Sequence, residues 1–329
     1  MGATTPYGSP RPRASIAGMN TPAVSIVMRS YNEGWALKGT LEALARQSFR
    51  DYELIVIDSG STDGSPELIR RAHPRHFVGI QPHEYHPPRV MNLGMKLARA
   101  NHVVFLNADA TPVDEHWLAP LVRVLHGADV AAVFGRQVPR ADCQAVFAAD
   151  YEQCFGRRRA SAKWDHFFSM VSSGIRKDLW AQRGFNEAMQ YSEDDEYTRW
   201  ARAQGYRVLY VPESVVTHSH NYTPAQAAKR AFGEGRALAA MWEGDPRRFN
   251  FSRTVLLGVA NDARRDLAFC ARHGRVRELP HALHIRWTQR RARLAGFRAG
   301  WRDYRAGPLE VQTPVWARWS APHLNPPSA

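Results

Sequence analysis

Short apolar runs that each stop in polar residues constrain this chain more than any other feature. VSIVM (24–28), ELIVI (53–57), HVVFL (102–106) and VAAVFG (130–135) have the length and β-branched content of strands. Between them lie LKGTLEALARQS (37–48), with Leu37, Leu41 and Leu44 at helical spacing, then NLGMKLARA (92–100) and LAPLVRVLHG (118–127). Strands alternating with helices predict an α/β domain built on a parallel sheet covered on both faces. Ligands bind such sheets at the carboxyl ends of the strands. The ends here are polar: Arg29 to Glu33, Asp58 to Ser61, and Asn107-Ala108-Asp109.

The pattern loosens after residue 140. The stretch 151–169 mixes arginine with aromatics and reads as a loop or short helix. Residues 185–205 read as a loop leading into a helix whose Tyr197, Trp200 and Ala201 share a face, and 206–220 as two short strands. From 224 to 310 helical spacing with arginine-rich faces dominates, and the proline-rich 311–329 predicts an extended tail. The first 22 residues read as a flexible segment with neither a secretory signal nor a membrane span, which predicts a cytoplasmic location. Three scattered cysteines make no disulfide framework and no zinc motif.

Charge is unevenly distributed. Residues 225–320 hold 19 Lys and Arg against 8 Asp and Glu, so 11 of the 13 surplus positive charges belong to the C-terminal region. Helices with arginine on one face and Leu, Phe and Trp on the other suit an anionic membrane surface. Packing on the sheet, with homodimer formation, is the alternative. A pI near 10.1 also suits a nucleic-acid-binding protein, but no binding module is visible and the first 220 residues would go unexplained.

Several residues could carry chemistry. Asp58, followed by Ser59 and Gly60, could accept hydrogen bonds from a base or ribose, or simply close a capping turn with Ser61 and Asp63. Arg89 and Asn92, three apart at a helix start, could face a phosphate or only solvent. Asp109 at a strand's carboxyl end suits a hard divalent cation, or a cap. Glu193 to Glu196 could form an acidic first turn, or aim one carboxylate into the cleft as a general base with a raised proton affinity. His218 and His220 alternate around Ser219, which sends both to one face where a metal ligand could lie.

In order along the chain, VSIVMRSYNE (24–33), ELIVIDSGSTDGS (53–65), NLGMKLARANHVVFLNADATP (92–112), SSGIRKDLWAQRGFNE (172–187), SEDDEYTRWARAQGYRVLYVPES (192–214) and VTHSHNYT (216–223) resemble family 2 of the nucleotide-sugar glycosyltransferases. The likeness covers residues 24 to 223 and is strongest toward rhamnosyltransferase-type members that build bacterial surface polysaccharides. It implies a GT-A fold over 23–223, with a nucleotide-sugar half (23–135) and an acceptor half (136–223). It also implies an inverting transfer from a nucleoside-diphosphate sugar to a glycan or lipid-linked acceptor, at the inner face of the cell membrane.

Carried onto this chain, the resemblance puts Ser30, Tyr31, Asn32, Glu33, Asp58, Ser59, Arg89, Asn92, Asn107 and Ala108 around the nucleotide-sugar. Asp109 and His218 would hold a divalent cation, Mg²⁺ or Mn²⁺. Asp194 would act as general base with Glu193 in support. Trp164, His166, Phe168 and His220 are the acceptor-side candidates. Asn107 stands where the family commonly has a first metal-motif Asp, and Ser59 where many members have a second Asp, which predicts weakened metal dependence. A catalytically silent sugar-nucleotide-binding module is the rival reading.

Overall fold

The computed structural model describes residues 21–156 and 167–305. The expected tail, and all but residues 21 and 22 of the expected N-terminal segment, lie outside the described residues. In chain order the elements are β1 (Val24–Ser30), α1 (Gly34–Ala45), β2 (Tyr52–Asp58), α2 (Ser65–Arg71), β3 (His76–Gly79), α3 (Pro87–Leu97), β4 (His102–Asn107), β5 (Thr111–Pro112), α4 (Leu118–Leu125), β6 (Val130–Val138) and α5 (Ala145–Cys154). There follow β7 (Ser172–Arg176), α6 (Lys177–Trp180), α7 (Glu193–Ala203), β8 (Arg207–Thr217), α8 (Pro224–Ala240), α9 (Gly258–Arg272) and α10 (Leu279–Arg305).

One eight-stranded sheet has the order β3-β2-β1-β4-β7-β6-β8-β5. The apolar runs are continuous because side chains alternate between two apolar layers. Val27, Ile55, Ile57, Val103 and Phe105 face α3 through Met91 and Met95; Ile26, Met28, Val56, Val104 and Leu106 face α1 and α4 through Leu37, Leu118 and Leu121. The sheet is mixed rather than wholly parallel: β7 runs antiparallel to β4 and β6, and β5 antiparallel to β8. The two strands expected over 206–220 are one. Against β6, Gly135 pairs with Val211 and Arg136 with Val215, so Pro212 to Ser214 bulge out where a proline would break the ladder.

The C-terminal helices pack onto α5, where Val146 and Phe147 meet Ala227, Phe269, Cys270 and Ile285. A Cβ on Gly235 would strike the carbonyl of Arg293, and one on Gly296 that of Phe232, so α8 and α10 cross backbone to backbone. Several arginines expected on a solvent or membrane face turn inward instead. Arg286 is buried and reaches Asp266 at 2.8 Å and Asp150 at 2.8 Å, Arg290 binds Asp262 at 2.7 Å, and Arg293 binds Glu234 at 2.6 Å. These acids come from α5, α8 and α9, so much of the basic surplus fastens helices to one another.

Candidate active site

From β1 the chain winds outward through β2 to β3 and then returns to the other flank of β1 as β4. The crevice where the winding direction reverses, outside the ends of β1 and β4, is where such a sheet receives ligand. Two of the non-glycine residues with left-handed φ, Asn32 (52°) and Ser192 (58°), lead into carboxylates at this edge. Such conformations cost energy in a residue with a side chain and recur at functional sites.

The loop after β1 is stitched to the loop after β2. Asn32 accepts from Thr62 N–H at 2.8 Å and donates its own N–H to Ser61 Oγ, while Gly34 N–H donates to Asp63 at 2.8 Å. Asp58 spends its oxygens within its own turn, on the N–H groups of Gly60 and Ser61 and the Ser61 hydroxyl. Ser30 and Ser59 are buried beside it, the Ser59 N–H donating to the Ser30 carbonyl, and Tyr31 stands half exposed at the mouth.

At the end of β4, Asn107 turns its side-chain oxygen to Arg29 at 2.8 Å, and the Ala108 N–H donates to the Arg29 carbonyl. Asp109 is fully buried, and neither carboxylate oxygen has a hydrogen-bond partner among the described residues. β5 begins two residues after Asp109 and pairs antiparallel with the end of β8, Thr111 opposite Thr217, which sets His218 Nε2 and His220 Nε2 each 3.4 Å from Asp109 Oδ2. One ligand atom from each of these three residues lies within 4.8 Å of the others. His220, expected on the acceptor side, therefore stands beside Asp109 and His218 in one cluster.

An orphaned buried carboxylate facing two imidazole nitrogens fits a divalent cation. The His218 tautomer fits too. Its Nδ1 lies 2.8 Å from Gln137 Oε1 and 3.0 Å from the Tyr151 hydroxyl, so Nδ1 carries the proton and the buried, unpartnered Nε2 keeps its lone pair. Burial, then the charges of His220 and Arg140, hold His218 well below the usual imidazole range. Burial lowers His220 as well, with Asp109 acting against it. Both shifts favour the neutral imidazole, the form that metal ligation requires. Arg140 braces the cluster from beneath, binding the Asp109 carbonyl and, at 3.0 Å, the Ser219 carbonyl, while its guanidinium lies 4.5 Å from the exposed Trp35 ring.

Four carboxylates gather around Arg29. Burial and then Asp109 push Glu33 up to about 8, and burial raises Asp109 itself. On the first turn of α7, burial and then Asp194 push Glu193 up to about 8. Burial raises Asp194 too, although it accepts from Asp195 N–H at 2.9 Å and Met170 N–H at 3.3 Å. Arg29 lowers all four, which makes it the positive centre of the cleft.

Other expected residues lie elsewhere. Asn92 uses its whole amide to pin α3 to the loop after α6: it donates to the Phe185 carbonyl and Glu187, and accepts from Trp180 Nε1 and Phe185 N–H. Arg89 pairs with Glu187 at 3.4 Å. Phe168 is a core residue packed edge-on against Phe134, so it has no face left for a sugar. Trp164 and His166 lie outside the described residues. Arg29, Gln137, Arg140 and Tyr151 were missed; the first two carried a signal, since each is a polar residue near the end of an apolar strand.

Residues 25–183 match the model of glycosyl transferase family 2. The chain is 30% identical over 224 residues to the O-antigen chain rhamnosyltransferase RfbN of Salmonella typhimurium, covering 64% of this chain and 71% of that one. It is 29% identical over 228 residues to the O-antigen chain rhamnosyltransferase WbaN of Salmonella anatum, covering 65% and 71%. Among solved structures, the mannosyltransferase PcManGT from Pyrobaculum calidifontis, in complex with GDP-Man and Mn²⁺, superposes with a TM-score of 0.58 at 20% identity over 87% of this chain and 88% of that one. Fold and site define a glycosyltransferase of the GT-A type. The chain belongs to glycosyl transferase family 2.

Proposed function

We propose that this enzyme transfers rhamnose, with inversion, from a nucleoside-diphosphate sugar to a hydroxyl of a glycan or lipid-linked acceptor during bacterial surface polysaccharide synthesis. The sugar and the pathway follow the names of the two O-antigen relatives. One observation carries the reading: the Asp109, His218 and His220 cluster and the Asp194 carboxylate stand at the same sheet edge as the stitched loops after β1 and β2. The loops receive the nucleotide. Asp194 takes the proton of the acceptor hydroxyl, whose oxygen bonds to the anomeric carbon as the bond to the diphosphate breaks and the nucleoside diphosphate leaves with its electron pair. Glu193 supports Asp194, and Arg29 keeps the crowded carboxylates ionisable.

A cation held by Asp109, His218 and His220 would neutralise charge on the departing diphosphate. Two imidazoles and one carboxylate suit Mn²⁺ better than Mg²⁺, which prefers oxygen donors and retains water. The enzyme would act at the inner face of the cell membrane, where lipid-linked acceptors are presented. A thermal-shift panel of nucleoside-diphosphate sugars with Mn²⁺, Mg²⁺ or EDTA tests the reading, coupled to measured release of nucleoside diphosphate. Activated rhamnose should shift melting most, by an amount equal to about 2.7 kcal/mol at a hundred times its Kd. A larger shift with another sugar would displace rhamnose, and binding without release on any acceptor would favour a silent module.

A further inference from the structure

Between α8 and α10 lies a cavity of about 400 Å³. Its apolar wall is an aromatic stack, with Phe249 3.9 Å from Phe297 and Trp242 edge-on at 4.8 Å. Arg248, Arg253, Arg290 and Arg293 line the rest. Arg290 and Arg293 are neutralised by Asp262 and Glu234, whereas Arg248 and Arg253 form no ion pair among the described residues. The Trp242 indole N–H is buried and has no acceptor among the described residues. Two exposed guanidinium groups without an ion pair within 4 Å, Arg248 acting on Asp245 only from farther off, leave positive charge at the cavity that suits an anion with several oxygen acceptors.

The neighbouring surface is apolar. Residues Phe251–Leu257 form a π-helical turn that follows this cavity in the chain and packs on α9 and α10. It leaves Phe251, Leu256 and Leu257 exposed, beside Leu283 and Trp287 of α10; all five are 39–59% exposed. The Phe251 and Trp287 rings meet edge to face at 6.2 Å, and the Arg291 guanidinium lies 6.0 Å from the Trp287 ring. Exposed apolar clusters of this kind mark interaction sites. Arginine beside aromatic and leucine side chains is the composition of an interfacial anchor. Among the described residues no helix is long and apolar enough to cross a membrane.

We propose that this cavity takes the phosphate of an anionic membrane lipid while Phe251, Leu256, Leu257 and Trp287 enter the acyl boundary, so that the C-terminal helices hold the enzyme on the bilayer surface. Charge selects this occupant over a second copy of the chain, which would bring the same arginine surplus to the contact. The docking surface is independent of which sugar is transferred.

Co-sedimentation of the full chain with vesicles of phosphatidylcholine, with and without phosphatidylglycerol, tests the proposal at low and high salt. Binding should require the anionic lipid and weaken as salt shortens the screening length. Arg248→Gln and Arg253→Gln should each weaken it about fivefold, and Phe251→Ser with Leu257→Ser about tenfold or more. The Arg248→Lys, Arg253→Lys pair should restore it. All variants should keep the parent's melting temperature and its shift with nucleoside diphosphate and Mn²⁺. Sugar-nucleotide turnover measured without vesicles reports separately on the transfer reaction. Equal vesicle binding by parent and variants would overturn the proposal. So would a melting shift with inorganic phosphate and no vesicle binding, which makes the cavity a soluble-anion site, or a dimer lost on Leu257→Ser, which makes the patch a self-association surface.

Discussion

Gln137 Oε1 lies 2.8 Å from His218 Nδ1, and the far nitrogen of that ring points at Asp109. The amide fixes the tautomer that leaves Nε2 free to ligate. Partners of this kind typically support metal affinity by about 10–100-fold. Gln137→Leu should weaken Mn²⁺ binding, followed calorimetrically or by the spectrum of free Mn²⁺, within that range while melting stays near the parent value. Unchanged affinity would mean that His218 is not a ligand.

Arg29 is the counter-charge shared by Glu33, Asp109, Glu193 and Asp194. Replacing it with Gln should raise the proton affinity of the base, so the acid limb of the kcat profile moves to higher pH. Arg29→Lys should largely restore the profile. A purely structural effect would lower kcat at every pH without moving the limb.

Glu33 gives a stability test with a definite sign. In the folded, metal-free protein it holds its proton up to about pH 8, against 4.5 for an ordinary glutamate. Between those values the native state binds more protons than the unfolded chain, so stability falls as pH rises and levels off above about 8. In EDTA, Glu33→Gln should melt about 2–4 °C above the parent near pH 8 and match it below 4.5. Parallel melting curves across that window would refute the raised proton affinity.

Asp194→Asn removes the proposed base but keeps an oxygen to receive the Met170 N–H. Turnover should drop by about 10²–10⁴-fold with donor affinity nearly unchanged. Retained turnover with lost donor binding would move Asp194 to the donor side.

Arg286 is enclosed by Asp150, Asp266 and the Val146 carbonyl. Arg286→Met leaves those carboxylates short of a counter-charge inside the helical layer, at a cost of about 3–5 kcal/mol. Denaturant unfolding should show it as a lower midpoint. Replacement of Asp150, Asp266 and Arg286 together by apolar residues should recover much of the loss.

The legible parts of this chain were those where local pattern and tertiary demand agree. β1, β2, β4 and β6 are apolar on both faces, so they stood out as runs, and the polar ends of β1, β2 and β4 marked the crevice. β7 carries no mark of a strand in its sequence because Ser172-Ser173-Gly174 has no apolar run; its place between β4 and β6 depends on small residues, Ser172 accepting the Trp117 indole N–H at 2.9 Å and Gly174 leaving room for Val133 and Leu125. Periodicity found the faces of the C-terminal helices but not which face turns inward, since that depends on Asp150, Asp262 and Asp266 arriving from other helices. Local pattern cannot join His220 to Asp109, more than a hundred positions away, because the long-range pairing of β5 with β8 is what brings them together. The partners of Asn92 lie some ninety residues downstream, on and just after α6, equally beyond the reach of local pattern.

The bonds from Asn32 to Thr62 and from Gly34 to Asp63 have a consequence for anyone recombining such enzymes. The loops after β1 and β2 share one hydrogen-bond set, so neither is an interchangeable cassette. A chimaera that imports a relative's residues 30–34 and keeps the resident 58–65 inherits mismatched halves of a single structural unit. Exchanges of donor preference in this scaffold should therefore succeed when both segments travel together and fail when either travels alone.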